Sequence, residues 1–518
     1  MSYPSQLKAM ATRLSGYSST IRKLTPHGKA DGIVAGDSIK FTLPTNTLVD
    51  LRTLKLHMQG WTFGDDNKGV VLFPSLTTSL IDQIVISANG VQIEATPRQW
   101  GQIVKMLDDF TAGAEKRRAR SELSKEHVAA IHPTTGDFYQ RCCKVETATG
   151  GTYQSIAYPT VRPGTREYGW PMLVDEWPAC FLGTVNPSIL STALTGDITI
   201  ELRFAPNSVL VNVGVGGYAV VDDGVDWSAG GGPPWIGEEA EMLWANRVAV
   251  SDDDVAKNPR YALNGVHMSV KTIDISDGAF YDWLKAEVPM SLPFQHFVAQ
   301  PGQSPATGSL DQTLTMTVNG GSVDCVYGTF YGTDYTSGML FPGAHTQPTD
   351  PLLKKSLYPA MPREYRHEGS FGNAQTSRYF QRGSIAVREA FESSFSVNNV
   401  QLDYPADLAT VFARAKDDFN LGKTGQTNVN PRLQVLSHFG QAFFVATQKL
   451  NFNTGEADTS RILSGLDSRN ATVHVQWKTS GKTENDAFNA PLQVIPMLYA
   501  ATTARLNIGA GRVLDLVY

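Results

Sequence analysis

Short runs of alternating apolar and polar residues recur along most of the chain from Gly36 onward. They are rich in Val, Ile, Leu, Thr and Phe and are broken by Gly, Pro, Asn or Asp; examples are DSIKFTLP from Asp37, LRTLKLHMQGW from Leu51, GDITIELRFAP from Gly196 and RNATVHVQWKTSG from Arg469. A period of two is typical of strands that bury one face. The pattern predicts many short β-strands and favours antiparallel sandwiches over a parallel α/β sheet.

One of these runs contains a turn signal, and a helix pattern follows it. In LIDQIVISANGVQIEA, Asn89-Gly90 predicts a tight hairpin or bulge because this dipeptide adopts positive φ readily. The next segment, PRQWGQIVKMLDDF, predicts a helix docked on the strands, since apolar residues recur at i, i+3, i+4 and i+7 behind a proline: Trp100, Ile103, Val104 and Leu107. Further short helices are predicted at DGAFYDWLKAE from Asp277 and PADLATVFARAKDDF from Pro405.

Length and composition add a domain count and a hint of assembly. A chain of 518 residues exceeds the usual size of one domain, so at least two cores are expected. Charged residues make up 18% and hydrophobic residues 42%, which predicts that partners as well as folding bury the surface. A formal net charge of −6 argues against a protein whose whole surface binds nucleic acid.

The first residues differ from the rest of the chain in charge. Residues 1–35 have little hydrophobic periodicity and are interpreted as an arm. Their cations precede the first acid, Asp31, and are candidates for contacts with a negative partner such as nucleic acid or membrane head groups; they are Lys8, Arg13, Arg22, Lys23 and Lys29. An ordinary interface arm is the commoner alternative.

Cysteines and targeting signals indicate a reducing compartment. Cys142, Cys143, Cys180 and Cys325 are too few and too irregular for a disulfide framework. The first residues lack the apolar core of a signal peptide, and no apolar stretch has the length of a membrane span. A soluble, unsecreted protein is expected.

Motifs of catalysis and cofactor binding are absent or incomplete in the sequence. Gly422-Lys423-Thr424 has Asp417 where a phosphate-binding loop needs glycine, and GVGGYA from Gly214 lacks a following helix pattern. There is no HExxH, no His-x-His and no G-x-S-x-G. The basic run at 116–120 is interpreted as a solvated face, with nuclear import or nucleic-acid binding as the alternative. No catalytic, cofactor or metal site is predicted.

Five segments, in this order and spread over most of the chain, resemble the double jelly-roll major capsid proteins of large eukaryotic DNA viruses, virophages, adenovirus-like viruses and tailless membrane-containing phages. The segments are LIDQIVISANGVQIEATPRQWGQIVKMLDDF, FLGTVNPSILSTALTGDITIELRFAP, HMSVKTIDISDGAFYDWLKAEVPMSLPFQHF, SFSVNNVQLDYPADLATVF and the closing run from AFFVATQKLNF to ARLNIGAGRVLDL. The third is similar to the junction between the two jelly rolls of that family.

The resemblance implies an all-β fold of two tandem eight-stranded antiparallel jelly-roll β-sandwiches, with a few short helices and long inserted loops. The expected division is a basic N-terminal arm at 1–35, a first jelly roll at 36–276 with long loops near 111–155 and 207–258, a connecting helix at 277–286, and a second jelly roll at 287–518 with a long loop near 334–380. Loops of this length are usually functional. The loops from Thr111, Val221 and Ser337 are the candidates for projections that clasp other subunits.

The implied function is structural rather than enzymatic. In the family, three chains close a pseudo-hexagonal ring of six sandwiches, and such capsomers tile an icosahedral shell; the chain is then a virion protein assembled inside the host cell. Expected partners are the chain itself as a homotrimer, neighbouring capsomers, and penton and minor capsid proteins, with genome or internal membrane as a candidate contact of the arm. The alternatives are a tandem jelly-roll hydrolase or monooxygenase and a carbohydrate-binding β-protein.

Overall fold

The computed structural model describes the following residues: 17–63, 70–72, 77–111, 128–131, 138–140, 145–146, 152–153, 170–213, 260–275, 286, 288–303, 305, 309–332, 391–402, 404–419, 444–451, 465–469, 473–481 and 494–518.

The strands up to residue 275 are β1 (Tyr17–Leu24), β2 (Ile33–Val34), β3 (Ser38–Thr42), β4 (Leu48–Phe63), β5 (Val70–Leu72), β6 (Ile81–Ala88), β7 (Val91–Ala95), β8 (Val128–Ile131), β9 (Phe138–Gln140), β10 (Val145–Glu146), β11 (Thr152–Tyr153), β12 (Trp170–Val174), β13 (Ile189–Ser191), β14 (Ile198–Phe204), β15 (Val211–Val213) and β16 (Arg260–Ile275).

The later strands are β17 (Met290–Pro301), β18 (Gln312–Val318), β19 (Val323–Gly332), β20 (Glu392–Val397), β21 (Val400–Gln401), β22 (Ala406–Asp407), β23 (Ala446–Lys449), β24 (Val473–Ser480), β25 (Val494–Ile508) and β26 (Leu514–Val517). The helices are α1 (Trp100–Thr111), α2 (Phe181–Thr184), α3 (Thr192–Thr195) and α4 (Leu408–Asp418), with 3-10 turns at Thr77–Leu80, Asn207–Val209 and Ala510–Arg512.

Two sheets in each half of the chain have the same strand order. In the first half the orders are β1-β16-β4-β12 and β3-β14-β6-β7, and in the second half they are β17-β25-β19-β23 and β18-β24-β20-β21. If the eight strands of each half are numbered along the chain, both halves have the orders 1-8-3-6 and 2-7-4-5. All of these pairs are antiparallel, and the order is that of a jelly roll.

Alternation along the strands explains why the sheets pack in pairs. In β14 the inward residues Ile198, Ile200, Leu202 and Phe204 are buried while the residues between them are partly exposed. In β24 the alternation is equally regular, with Val473, Val475 and Trp477 buried. Each sheet therefore has one apolar face, and two such faces close a sandwich.

The two sandwiches have cores of different chemistry. In the first, aliphatic side chains dominate, among them Leu54, Ile84 and Ile200. The second contains a cluster of rings in which Trp477 lies 5.1 Å from Phe330, and Phe391 meets Phe444 edge-on at 5.0 Å. The same strand order is therefore filled in two ways.

A hairpin followed by a helix occurs once in each sandwich. Asn89 and Gly90 both have positive φ, 47° and 81°, so the predicted tight turn between β6 and β7 is confirmed. Asn398 and Asn399 also have positive φ, 48° and 64°, between β20 and β21. The predicted helices after these hairpins are confirmed as α1 and α4, and Asp407 caps α4 by accepting a hydrogen bond from the Thr410 N–H at 2.9 Å.

Part of the N-terminal region that the sequence predicts as an arm forms a strand. Residues 17–24 form β1, which pairs with β16 from Tyr17↔Ile275 to Leu24↔Met268. Most of its side chains are exposed, so the strand is held by backbone pairing rather than by burial. An edge strand of this kind needs no alternating pattern, which is why YSSTIRKL shows no strand signal.

Several predicted features lie outside the described residues. They include residues 1–16, most of the three long loops and, apart from Ala286, the connecting helix at 277–286. The described parts of the loop near 111–155 are the strand pairs β8–β9 and β10–β11. The limits of the two jelly rolls stay a prediction, but the strands of the two sandwiches lie within 17–275 and 290–517.

Within the described residues, no helix has the length and apolar character needed to cross a membrane. Cys180 and Cys325 are buried free thiols, whereas Cys142 and Cys143 lie outside the described residues.

Candidate assembly surfaces

The two sandwiches meet at a buried carboxylate. Glu94 on β7 has no exposed surface; its Oε2 accepts a hydrogen bond from the Phe181 N–H at the start of α2, at 2.5 Å. Its Oε1 lies 3.1 Å from Nδ1 of His296 on β17 of the second sandwich. Burial raises the pKa of Glu94, while the bonds from His296 and Phe181 oppose that rise. The carboxylate thus ties β7 and α2 to β17.

Aromatic rings surround this pair. The ring of Tyr518 lies 5.0 Å from that of His296, and its hydroxyl donates to the carbonyl of Ile93 at 3.2 Å. Phe294, two residues before His296, meets Phe181 edge-on at 5.1 Å. Burial and the charge of Glu94 both raise the pKa of Tyr518. The rings exclude water from the carboxylate and strengthen its dependence on its two partners.

Hydrogen bonds from backbone N–H groups fix how the sandwiches are oriented. The Asn186 N–H donates to the carbonyl of Pro293 at 2.9 Å, and the Gln295 N–H donates to Thr184 Oγ1 at 3.0 Å. Both donor–acceptor pairs join the end of α2 and the segment after it to β17. Because both donors are backbone N–H groups held by the main chain, these bonds allow little sliding.

The turn after β25 reaches the hairpin of the first sandwich. The carbonyl of Arg512 accepts a hydrogen bond from Asn89 Nδ2 at 3.4 Å. Its guanidinium donates to the carbonyl of Ala193 at 3.0 Å and to Asn46 Oδ1 at 3.1 Å. The junction therefore joins two different surfaces, the hairpin and helix side of the first sandwich and the first and last strands of the second.

Large apolar side chains remain exposed on both sandwiches. On β1, Ile21 is 75% exposed; beyond the second hairpin, Val400 is 66% and Tyr404 63% exposed, with Leu402 between them at 40%. The Arg414 guanidinium of α4 lies 5.1 Å from the centre of the Tyr404 ring. Grouped apolar exposure of this kind is typical of contact surfaces.

Comparison with known proteins gives matches at the level of structure. No protein-family model matches the sequence, and no curated protein matches it significantly. A chain of the PBCV-1 virus capsid superimposes with a TM-score of 0.52 at 11% identity, covering 98% of each chain. A chain of the Sputnik virophage superimposes with a TM-score of 0.50 at 10% identity, covering 97% of this chain and 88% of that one.

The fold is a double jelly roll. The predicted fold class is thereby confirmed, and so is the resemblance to double jelly-roll capsid proteins, which holds over nearly the whole chain. At this identity the likeness establishes the fold, and the role of the chain is treated below.

Three of the five basic residues predicted as contacts are described in the double jelly roll: Arg22, Lys23 and Lys29. Lys8 and Arg13 lie outside the described residues. Arg22 is 3.4 Å from Asp274 and donates to Thr272 Oγ1 at 3.1 Å. Lys29 lies 3.0 Å from Asp37, whose pKa is lowered chiefly by the Val34 N–H and also by this lysine. In the described part of the chain, Lys23 alone of the three has no carboxylate partner.

Local patterns of apolar and polar residues contained no indication of the junction residues. Glu94 follows the buried Ile93 in a short strand, and its partner His296 is distant in sequence, so nothing local marks either residue. A signal did exist in the hairpin itself. ISANGVQIE at 86–94 and FSVNNVQLD at 395–403 are similar sequences, an internal repeat that marks the two hairpins as equivalent.

A histidine pair beside β1 was also missed. His57 on β4 and His267 on β16 stack with ring centres 4.7 Å apart, and His57 Nε2 lies 2.8 Å from Ser269 Oγ. Burial lowers the pKa of His57, and so do the charges of His267, Lys55 and Lys23. Within the described residues, no group of three or more His, Cys, Asp or Glu side chains has an arrangement that could hold a metal ion.

Proposed function

We propose that this chain is a viral major capsid protein that acts by contact and not by catalysis. Three copies form a pseudo-hexagonal ring of six jelly rolls, and these capsomers tile an icosahedral shell. The virion is then its site of action, and assembly takes place inside the host cell.

The junction between the two sandwiches carries this proposal. It joins two unlike surfaces, and both sandwiches have the same strand order, so the same kind of contact can be made again by the next chain. A contact between unlike surfaces that repeats by rotation closes into a ring when the rotation permits. Six sandwiches in a ring require three chains.

The structural comparisons support a capsid role over the enzymatic alternatives. The likeness covers 98% of both this chain and a chain of the PBCV-1 virus capsid, so no large part of either fold is left without a counterpart. The superposition includes both sandwiches rather than a single domain.

Partners and loops follow from the same proposal. Neighbouring capsomers, penton proteins and minor capsid proteins are the expected contacts, and the N-terminal arm at 1–35 is a candidate contact for genome or internal membrane. The loops from Thr111, Val221 and Ser337 would clasp adjacent subunits. Deletion of 334–380, with retained β-structure by circular dichroism, is expected to weaken or prevent trimer formation.

The test is the mass and outline of the purified protein. Size-exclusion chromatography with light scattering is expected to give three times the mass of one chain, and negative-stain microscopy a pseudo-hexagonal outline. A monomer at every concentration tested, with folded β-structure by circular dichroism, would overturn the proposal.

A further inference from the structure

The first strands of the two jelly rolls occupy equivalent positions. Tyr17 pairs with Ile275, and Met290 pairs with Ile508, in each case the last residue of the eighth strand. Ile21 and Phe294 each follow that first paired residue by four positions; Ile21 pairs with Lys271 and Phe294 with Ala504, so the register is the same. Ile21 therefore occupies the position in the first sandwich that Phe294 occupies in the second.

These two equivalent residues differ in what covers them. Phe294 has no exposed surface, because Phe181 and the core of the first sandwich pack against it. Ile21 is 75% exposed. In the described residues the first sandwich thus has, at its first strand, a surface that in the second sandwich is covered by another jelly roll.

On the side of the hairpin and helix, the difference between the two sandwiches is reversed: this side is covered in the first sandwich and partly exposed in the second. The described side chains in the first two turns of α1 are buried or nearly so, and Ile103 and Met106 join the core of the second sandwich. The equivalent helix α4 buries Leu408, Val411 and Ala415 on one face but leaves Ala409 and Ala413 exposed. The hairpin ahead of it ends in the exposed group Val400, Leu402 and Tyr404.

We propose that these two exposed surfaces bind each other between copies: the hairpin end at Val400, Leu402 and Tyr404, with the outer face of α4, packs on β1 of the next chain around Ile21. The occupant of each surface is a second copy of this chain. The contact repeats, between chains, the junction that is present within one chain. This inference rests on the proposed ring and names the residues that close it.

The internal repeat adds a charge expectation to this apolar contact. Aligning NGVQIE at 89–94 with NNVQLD at 398–403 sets Asp403 against Glu94. Lys23 corresponds to His296 in register, since Lys23 is six residues after Tyr17 and His296 is six residues after Met290. The acid–base pair of the internal junction thus has an acid and a base at the corresponding positions of the sequence, although Asp403 itself lies outside the described residues.

Disulfide trapping is the direct test. Lys23→Cys and Asp403→Cys are introduced together into the full chain carrying Cys142→Ser and Cys143→Ser, since Cys180 and Cys325 are buried. After mild oxidation, non-reducing gels are expected to show covalent dimers and trimers. The matched control pairs Lys23→Cys with Val513→Cys, because Val513 is 64% exposed and belongs to neither of the two proposed contact surfaces. The inference is overturned if the trimers remain intact and the Lys23→Cys/Asp403→Cys pair forms no more disulfide-linked dimers than the control pair.

A second measurement does not depend on cysteine chemistry. Ile21→Glu is expected to raise the dissociation constant of the trimer by at least about tenfold, since burying one large aliphatic side chain contributes that much or more. Val513→Glu, the control, should leave it unchanged. An unchanged dissociation constant for Ile21→Glu also counts against the inference. Both results presuppose that the unmodified chain is trimeric, so a monomeric unmodified chain contradicts the proposed function instead.

Discussion

The two jelly rolls share one strand order but have different interiors. The first is filled mainly by aliphatic side chains, whereas the second has interlocking rings around Trp477. Packing density can be reached by either set, provided that the total volume fits. The difference teaches that the topology depends on where apolar residues fall along each strand and much less on which apolar residues they are.

A second difference lies in the first strands. β17 is covered on its outer side by the first jelly roll, and β1 has no such cover in the described residues. Their pairing with the eighth strand is nevertheless the same, residue for residue, over eight positions. Strand order fixes the place of a strand in the sheet, and the neighbouring sandwich decides whether its outer face can be apolar and buried.

The largest effect is expected from emptying the aromatic core. Trp477 is fully buried and donates to Ser393 Oγ at 2.9 Å, so Trp477→Ala should lower the free energy of unfolding by about 3–5 kcal/mol. Denaturant unfolding followed by circular dichroism measures it. Ile200→Ala, on the matching strand of the first jelly roll, is the comparison and should cost less because it removes fewer atoms. An equal or larger loss for Ile200→Ala would contradict the contrast between the cores.

The next effect concerns the junction that distinguishes β17 from β1. Glu94→Ala leaves His296 and the Phe181 N–H without their acceptor, and should cost about 3 kcal/mol. Thermal unfolding measures the loss. Glu94→Gln keeps an acceptor and a donor in place and serves as the control with the smaller loss. Similar losses for both variants would show that size, not hydrogen bonding, matters at this position.

The same control gives a pH dependence. The pKa of Glu94 is raised above its usual 4.5. Its contribution to the free energy of unfolding is therefore full below pH 4.5 and is lost as the pH rises through the raised pKa. Gln does not titrate. The stability of Glu94→Gln relative to the unmodified chain should therefore improve as pH rises above about 4.5. A difference that stays constant with pH would contradict the raised pKa.

The smallest effect is expected at β1 in the dissociated chain. The Ile21 side chain buries little surface, so Ile21→Ser should change the free energy of unfolding by less than about 0.5 kcal/mol.

Amide hydrogens of β1 should also exchange at least about tenfold faster than those of β17, because an uncovered edge strand opens locally. Hydrogen exchange with mass spectrometry compares the two strands. Equal protection of β1 and β17 in the dissociated chain would contradict the difference in cover.

Much of the fold was predictable because its signals are local. Alternation located most of the long strands, Asn89-Gly90 marked a turn, and the spacing of Trp100, Ile103 and Val104 marked α1. β1 was not predictable in this way because it is held by pairing with β16, far along the chain. The resemblance supplied the overall arrangement, which local patterns alone do not determine.

The contact surfaces were harder to predict, for a physical reason. The charged arm was the natural candidate, yet Arg22 and Lys29 are already paired with Asp274 and Asp37. The junction depends on Glu94 and His296, which become partners only once both sandwiches have formed. Only the repeat of 86–94 at 395–403 carries that information in the sequence, because it identifies equivalent positions in the two jelly rolls.

The pairing of first and eighth strands also bears on the order of events during synthesis. Each jelly roll needs its last strand before its first strand has a partner, so the first sandwich cannot close until residue 275 has left the ribosome. Its hairpin and helix side then stays uncovered until β17, β25 and Arg512 have been made. A nascent chain thus exposes its binding surfaces at different times, and the hairpin side of the first jelly roll is covered only when the end of its own chain has been made.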